Sequence, residues 1–241
     1  MKRELPTVFV IDPDTATRST ISALVSGMNY CCRTFASGRE FFAAYADSGL
    51  GCLVLEVKIP DMSGLQIQRR LSRISATLPQ VFLTTHDDVA MAVELMRGGA
   101  VNYLQKPLRP LELLNAVQEA VALDHYRRKT QQRRQRLLER LATLTIKQRE
   151  VLKMIAEGES TRSMATLLQV SPRTIELRRS GLMKKLGLRS TASLLHFALL
   201  AHRNGKHYLD GTRGPQPSPS GTSSLATTDT MPASKAALSR C

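Results

Sequence analysis

The first 124 residues alternate short apolar runs with stretches whose apolar positions return at helical spacing. Thr7-Val-Phe-Val-Ile11 reads as a buried strand and Thr15 to Met28 as a helix. Cys31 to Phe35 is a candidate second strand, followed by a helix over Gly38 to Asp47. Cys52 to Glu56 is the clearest central strand. Gly64 to Ser75, Gln80 to Thr84, Val89 to Arg97 and Val101 to Leu104 continue as helix, strand, helix and strand, and a further helix opens near Arg109. Parallel strands need crossover helices of fixed hand, so this alternation predicts an α/β fold with a five-stranded parallel sheet covered on both faces. Its expected order is flavodoxin-like, with the site at the carboxyl ends of the strands.

The helix after Pro110 meets no stop signal near 124. Leu111, Leu114, Val117, Val121 and Ala122 give it an apolar stripe, and it runs on through Tyr126 to Arg140 without Gly or Pro. The reading is one long helix joining two domains; the alternative is a solvated, partly helical linker. Residues 141–203 lack strand periodicity and carry helix-start signals instead. Thr145-Ile-Lys-Gln148 is a capping box, Ser160, Ser171 and Ser190 are N-cap candidates, and Pro172 follows Ser171 in a first turn. Four short helices with a compact helix–turn–helix in the middle is a nucleic-acid-binding plan. The assignment is therefore 1–124 as the first domain, 125–140 as a basic linker, 141–203 as an all-α domain and 204–241 as a tail. The Gly-, Pro- and Ser-rich composition of that tail predicts disorder.

Charge sharpens the division. The chain carries a formal +14, but residues 1–124 hold 12 basic and 13 acidic side chains, residues 125–140 hold 7 and 1, and residues 141–202 hold 10 and 4. The first domain is thus neutral, and the excess that suits an acidic partner lies entirely behind it. A hydrophobic share of 42% excludes a wholly disordered chain, and no apolar run reaches membrane-spanning length. The apolar run behind the N-terminus stops at Asp12-Pro13, too short for a secretory signal, so a cytoplasmic protein with reduced thiols is expected.

The first domain resembles response-regulator receiver domains. The residues that carry the resemblance are Val8-Phe-Val-Ile-Asp12, Leu53-Val-Leu-Glu-Val-Lys-Ile-Pro-Asp-Met-Ser-Gly64, Leu83-Thr84 and Tyr103-Leu-Gln-Lys-Pro107. The second resembles the LuxR-type helix–turn–helix of the NarL/FixJ family through Leu144 to Leu152, Ile155-Ala-Glu-Gly158, Ser171-Pro-Arg-Thr-Ile-Glu176 and Met183-Lys-Lys-Leu186. The resemblance implies two-component signalling and transcriptional control, with no enzymatic activity.

It also assigns a pocket. A receiver accepts a phosphoryl group on an aspartate at the end of its third strand, and that position is Glu56. A pair of acids after the first strand helps hold a divalent metal, and here the pair is Asp12-Pro13. Losing a ligand and displacing the nucleophile both work against in-line transfer, so magnesium binding is expected to be weak or absent. Thr84 matches the hydroxyl that tracks phosphoryl oxygen, Lys106 the phosphate-pairing lysine ahead of a cis Pro107, and Tyr103 the aromatic that rotates. Two readings stay open: a pocket locked by a Glu56–Lys106 ion pair, and a degenerate receiver kept as a folding and dimerisation module. An ordinary phosphorylated regulator using Asp14 or Asp61 is a further alternative.

In the second domain the resemblance places base contacts on Glu176, Leu177 and Ser180 of a helix from Ser171 to Leu186, and phosphate contacts on Arg173, Thr174, Lys184 and Lys185. Arg178 and Arg179 share that exposed face, while Ile175, Leu182, Met183 and Leu186 turn inward. Leu194, Leu195, Ala198 and Leu199 of the last helix form an apolar stripe; family dimers pair through this helix, and part of the stripe must also close the domain core. The expected partners are double-stranded DNA, a second copy of the chain, and a protein at the receiver; an adaptor whose basic half binds an acidic protein or a membrane surface is the competing class. Gly181 has no sequence-level reason. Cys31, Cys32 and Cys52 raise a redox reading, weighed against inert buried thiols, and the histidines show no metal spacing.

Overall fold

The computed structural model describes residues 5–46, 49–74, 78–85 and 89–204. The tail assigned to disorder lies, apart from Asn204, outside them. Strands β1 (Thr7–Ile11), β2 (Cys31–Phe35), β3 (Gly51–Glu56), β4 (Gln80–Thr84) and β5 (Asn102–Gln105) alternate with helices α1 (Thr15–Ser26), α2 (Gly38–Ala44), α3 (Gly64–Arg73), α4 (Val89–Arg97) and α5 (Pro110–Ala142). The strands form one parallel sheet in the order β2-β1-β3-β4-β5, the flavodoxin-like order expected from the alternation. β3 and β4 are buried at every position, as a strand covered on both faces must be.

Each face has its own core. Val8, Val10, Cys52, Val54, Val81 and Leu83 pack under α1 and α5, with Ile21, Val25, Leu113, Val117 and Val121. Phe9, Ile11, Leu53, Leu55 and Phe82 pack on the other face with Phe41, Ile67, Leu71 and Leu95. The buried stripe of α5 is Leu113, Ala116, Val117, Ala120, Val121 and Asp124. That corrects the phase read from the sequence: Leu111 is exposed and Ala122 points outward. Several apolar residues in this helix satisfy a 3.6-residue period in more than one phase, and only the sheet selects one.

Asp124 is the surprise in that stripe. It is fully buried, and its Oδ2 accepts hydrogen bonds from the Gly51 N–H at 3.0 Å and Arg128 Nε at 2.8 Å. Gly51 has no alternative side chain, because a Cβ there would lie 2.1 Å from the Thr7 carbonyl oxygen. The start of β3 is thus tied to α5, satisfying an N–H that burial would otherwise strand.

The chain divides into two compact units between Thr130 and Gln131, within the span of α5. The second unit continues with α6 (Ile146–Ala156), α7 (Thr161–Leu167), α8 (Pro172–Lys185) and α9 (Thr191–Asn204). Its caps are those the sequence marked: the Thr145/Gln148 box, Ser160 accepting from the Ser163 N–H, Ser171 from Thr174 and Ser190 from Ser193. Leu137, Leu141, Val151, Leu152, Met164, Ile175, Leu182, Leu194, Phe197 and Ala198 make its core, so the last turns of α5 belong to this unit's packing. Arg140 lies over the Phe197 ring at 4.7 Å and donates to the Leu186 carbonyl oxygen at the end of α8.

Gly181 sits in the middle of α8 with nothing within 4 Å of where a Cβ would be. No close packing explains it. Gly181→Ala should therefore stabilise this unit by about 0.8–1 kcal/mol, read as an upward shift of its thermal midpoint.

Candidate functional site

Parallel strands bring their carboxyl ends to one edge, and β1, β3, β4 and β5 deliver Asp12, Glu56, Thr84 and Lys106 there. The register sets Ile11 beside Leu55, Glu56 beside Leu83, and Thr84 beside Gln105. The Lys106–Pro107 peptide is cis, as the resemblance implies. The Lys106 N–H donates to the Thr84 carbonyl oxygen at 2.7 Å.

The lysine side chain ends between two carboxylates. Lys106 Nζ lies 2.6 Å from Asp12 Oδ2 and 2.7 Å from Glu56 Oε2, and the two acid side chains keep only 1% and 6% of their exposure. The remaining oxygens are also taken. Asp12 Oδ1 accepts the Asp14 N–H at 2.9 Å. Glu56 Oε1 accepts the N–H of Val57 at 2.9 Å, so the longer glutamate side chain folds back on its own backbone. Burial works against the charge on Lys106, but the hydrogen bonds and charges of Glu56 and Asp12 outweigh it and hold the ammonium above its ordinary pKa of 10.5.

The two alternative acids are occupied elsewhere. Asp14 is the N-cap of α1, accepting from the hydroxyl and N–H of Thr17 and the N–H of Ala16, and these bonds hold its carboxyl below the ordinary 3.8. Asp61 accepts the N–H groups of Gly38 and Arg39 at the start of α2; burial opposes its charge, but these donors prevail and lower its pKa too. Arg18, which the sequence reading did not single out, donates from Nη1 to the carbonyl oxygens of Asp12 and Pro13 at 2.6 and 2.9 Å. Its only sequence signal is its place one turn after Asp14 on α1.

Tyr103 is half-buried and lines a groove with Val89, Val93 and Met96 of α4. Cys32 and Cys52 both flank Val8, on opposite sides of β1. Two strand spacings of roughly 4.8 Å exceed the reach of a disulfide, so the pair cannot bridge. Burial pushes the Cys52 thiol pKa far up, which leaves it an inert packing residue.

On α8, Ile175, Leu182 and Leu186 are buried, with Met183 packed against the same core. Arg173, Glu176, Leu177, Ser180, Lys184 and Lys185 are exposed, and Leu177 keeps 65% of its surface. Three of the assigned residues have internal duties or partial cover. Thr174 shares a hydroxyl contact with Ser171 in the cap. Arg179 reaches Thr161 Oγ1 at the start of α7, and Arg178 is half-buried. α9 splits the stripe read from the sequence: Leu194 and Ala198 are the part that closes the unit's own core, which removes these two from the pairing surface. Leu195, Leu199 and Leu200 face outward. No helix among the described residues is long and apolar enough to cross a membrane.

Comparison with known proteins agrees with this two-unit plan. Residues 8–118 match the response regulator receiver domain, and residues 142–198 match the bacterial regulatory proteins of the luxR family. The chain is 37% identical over 211 residues to transcriptional regulatory protein TdiR of Thauera aromatica, covering 88% of this chain and 92% of that one. It is 30% identical over 193 residues to transcriptional regulatory protein FixJ of Rhizobium meliloti, covering 80% and 95%. The structure of response regulator StyR superposes with a TM-score of 0.72 at 33% identity, covering 80% of this chain and 98% of that one. A carboxyl-edge pocket on a five-stranded parallel sheet, followed by a capped helix–turn–helix, thus has full-length counterparts, and the chain belongs to the NarL/FixJ family of response regulators, transcriptional regulators with a LuxR-type DNA-binding domain.

Proposed function

We propose that this regulator binds a two-fold DNA site as a homodimer and does so without aspartyl phosphorylation. The observation that carries the second part is the bridging of Asp12 and Glu56 by Lys106. The glutamate stands at the acceptor position, its carboxylate engaged on both oxygens, and Pro13 stands in place of the second metal-holding acid. With Asp14 and Asp61 engaged as helix caps, neither offers a displaced acceptor. A phosphoryl group that binds neither receiver state shifts no equilibrium, so protein concentration, a partner at the receiver or a fixed active state sets the output. Acetyl phosphate with magnesium should leave the intact mass and the DNA affinity unchanged. Stoichiometric phosphate uptake with tighter DNA binding would overturn this reading. Glu56→Asp together with Pro13→Asp should restore some uptake, and Glu56→Asp alone should not.

The exposed face of α8 supports the DNA reading. Glu176, Leu177 and Ser180 present side chains suited to base edges, with carboxylate to cytosine amino and leucine to thymine methyl as the available pairings. Lys184 and Lys185 lie one turn further on, suited to phosphate. Lys185→Ala should weaken binding to every sequence and reduce the salt slope by about one, whereas Glu176→Ala should relax preference at one base position. Salt titrations and a selected-site consensus check the two together; an unchanged consensus for Glu176→Ala would remove it from base reading. Leu195, Leu199 and Leu200 supply the apolar surface for pairing, and a two-fold protein matches an inverted repeat.

A further inference from the structure

We propose that the Lys106 ammonium is the resident cation of this receiver, bridging Asp12 and Glu56 so that the pocket excludes a divalent metal. This deepens the reading above and rests on its assignment of Glu56 to the acceptor position.

The donor geometry points this way. A magnesium ion needs near-octahedral oxygen at about 2.0–2.1 Å and is usually held by one or two carboxylates plus water or phosphate oxygens. The oxygens of Asp12 and Glu56 that face one another, Oδ2 and Oε2, are those already held by Nζ at 2.6 and 2.7 Å. Their outer oxygens accept backbone N–H groups of Asp14 and Val57. A dication seated between the same two carboxylates would lie within a few ångströms of the ammonium, and its repulsion there is only weakly screened, because the acids are almost wholly buried.

A second cation stands at the β1–α1 turn. The Arg18 guanidinium sits on the carbonyl oxygens of Asp12 and Pro13, where a metal approaching from the β1–α1 turn would seek oxygen. Asp14, the remaining carboxylate at that turn, is engaged by three donors of α1. The donor set therefore fits an internal ammonium and does not fit a divalent ion.

The test uses the full chain with manganese and magnesium as probes. In the wild type, millimolar magnesium should leave the thermal midpoint unchanged, and manganese titration followed by electron paramagnetic resonance should show no bound ion. Lys106→Met removes the ammonium and keeps the stem, so the two carboxylates should gain manganese by at least about tenfold in affinity, with a midpoint that rises when magnesium is added. Lys106→Arg retains a cation and should behave as the wild type. Submillimolar manganese binding by the wild type, or a folded Lys106→Met that gains none, would overturn the inference. If Lys106→Met does not fold, the wild-type and Lys106→Arg titrations decide it. A wild type that binds metal yet takes no phosphate would sink this inference and leave phosphorylation independence standing; phosphate uptake would sink that reading instead.

Discussion

Replacing Lys106 by alanine should destabilise the receiver unit by about 3–5 kcal/mol, the usual cost of stripping one partner from a buried ion pair. The loss is large because two carboxylates remain, each more than nine-tenths buried and facing the other across the space the ammonium filled. Removing one acid as well should recover part of it. Chemical denaturation of Lys106→Ala, Glu56→Gln and the double variant measures the coupling directly, and a coupling under about 0.5 kcal/mol would show the pair to be solvated. The sign of the pH dependence follows from the raised pKa of Lys106. Its contribution is complete below the ordinary value of 10.5 and is lost as pH climbs through the raised value, so the gap between wild type and Lys106→Ala should be steady at neutral pH and close only in strong alkali.

Phe197→Ala should cost the helical unit about 3–5 kcal/mol and abolish specific DNA binding at temperatures where the wild type is folded. Phe197 is buried among α5, α6, α8 and α9 residues, and its ring carries the Arg140 guanidinium at 4.7 Å. Arg140 in turn holds the Leu186 carbonyl oxygen, one of the acceptors left open at the end of α8. Truncating the ring leaves a cavity and frees the side chain that fixes the end of α8. The check is a thermal melt of the variant together with a gel-shift titration. A variant that melts within about 1 kcal/mol of the wild type would show that the core closes over the gap.

Much of this follows from one-dimensional pattern. Strands β1, β3 and β4 stand where short apolar runs stand, because a strand covered on both faces has few places for a polar side chain. The caps at Thr145, Ser160, Ser171 and Ser190 are equally local, since a side-chain oxygen needs only an N–H two or three residues ahead. The buried acid of α5 left a faint signal too: Asp124 continues the stripe of Leu113, Val117, Ala120 and Val121, where a charge has no place without partners.

The alternation of elements, the division between a neutral and a basic half, and the presence of glutamate at 56 and proline at 13 were determined by the sequence alone. Each is a statement about residue type and local spacing. What only the tertiary structure decided are meetings between distant residues. Lys106 lies 94 positions from Asp12, and it bridges both acids where the sequence suggested a single pair with Glu56. The phase of α5 and the burial of Leu194 and Ala198 in α9 were settled by what each helix packs against, because an apolar stripe does not say whether its cover is the same domain or a second copy. Cys32 and Cys52 share a face yet stand on opposite sides of β1, since strand order belongs to the sheet and is not written in spacing.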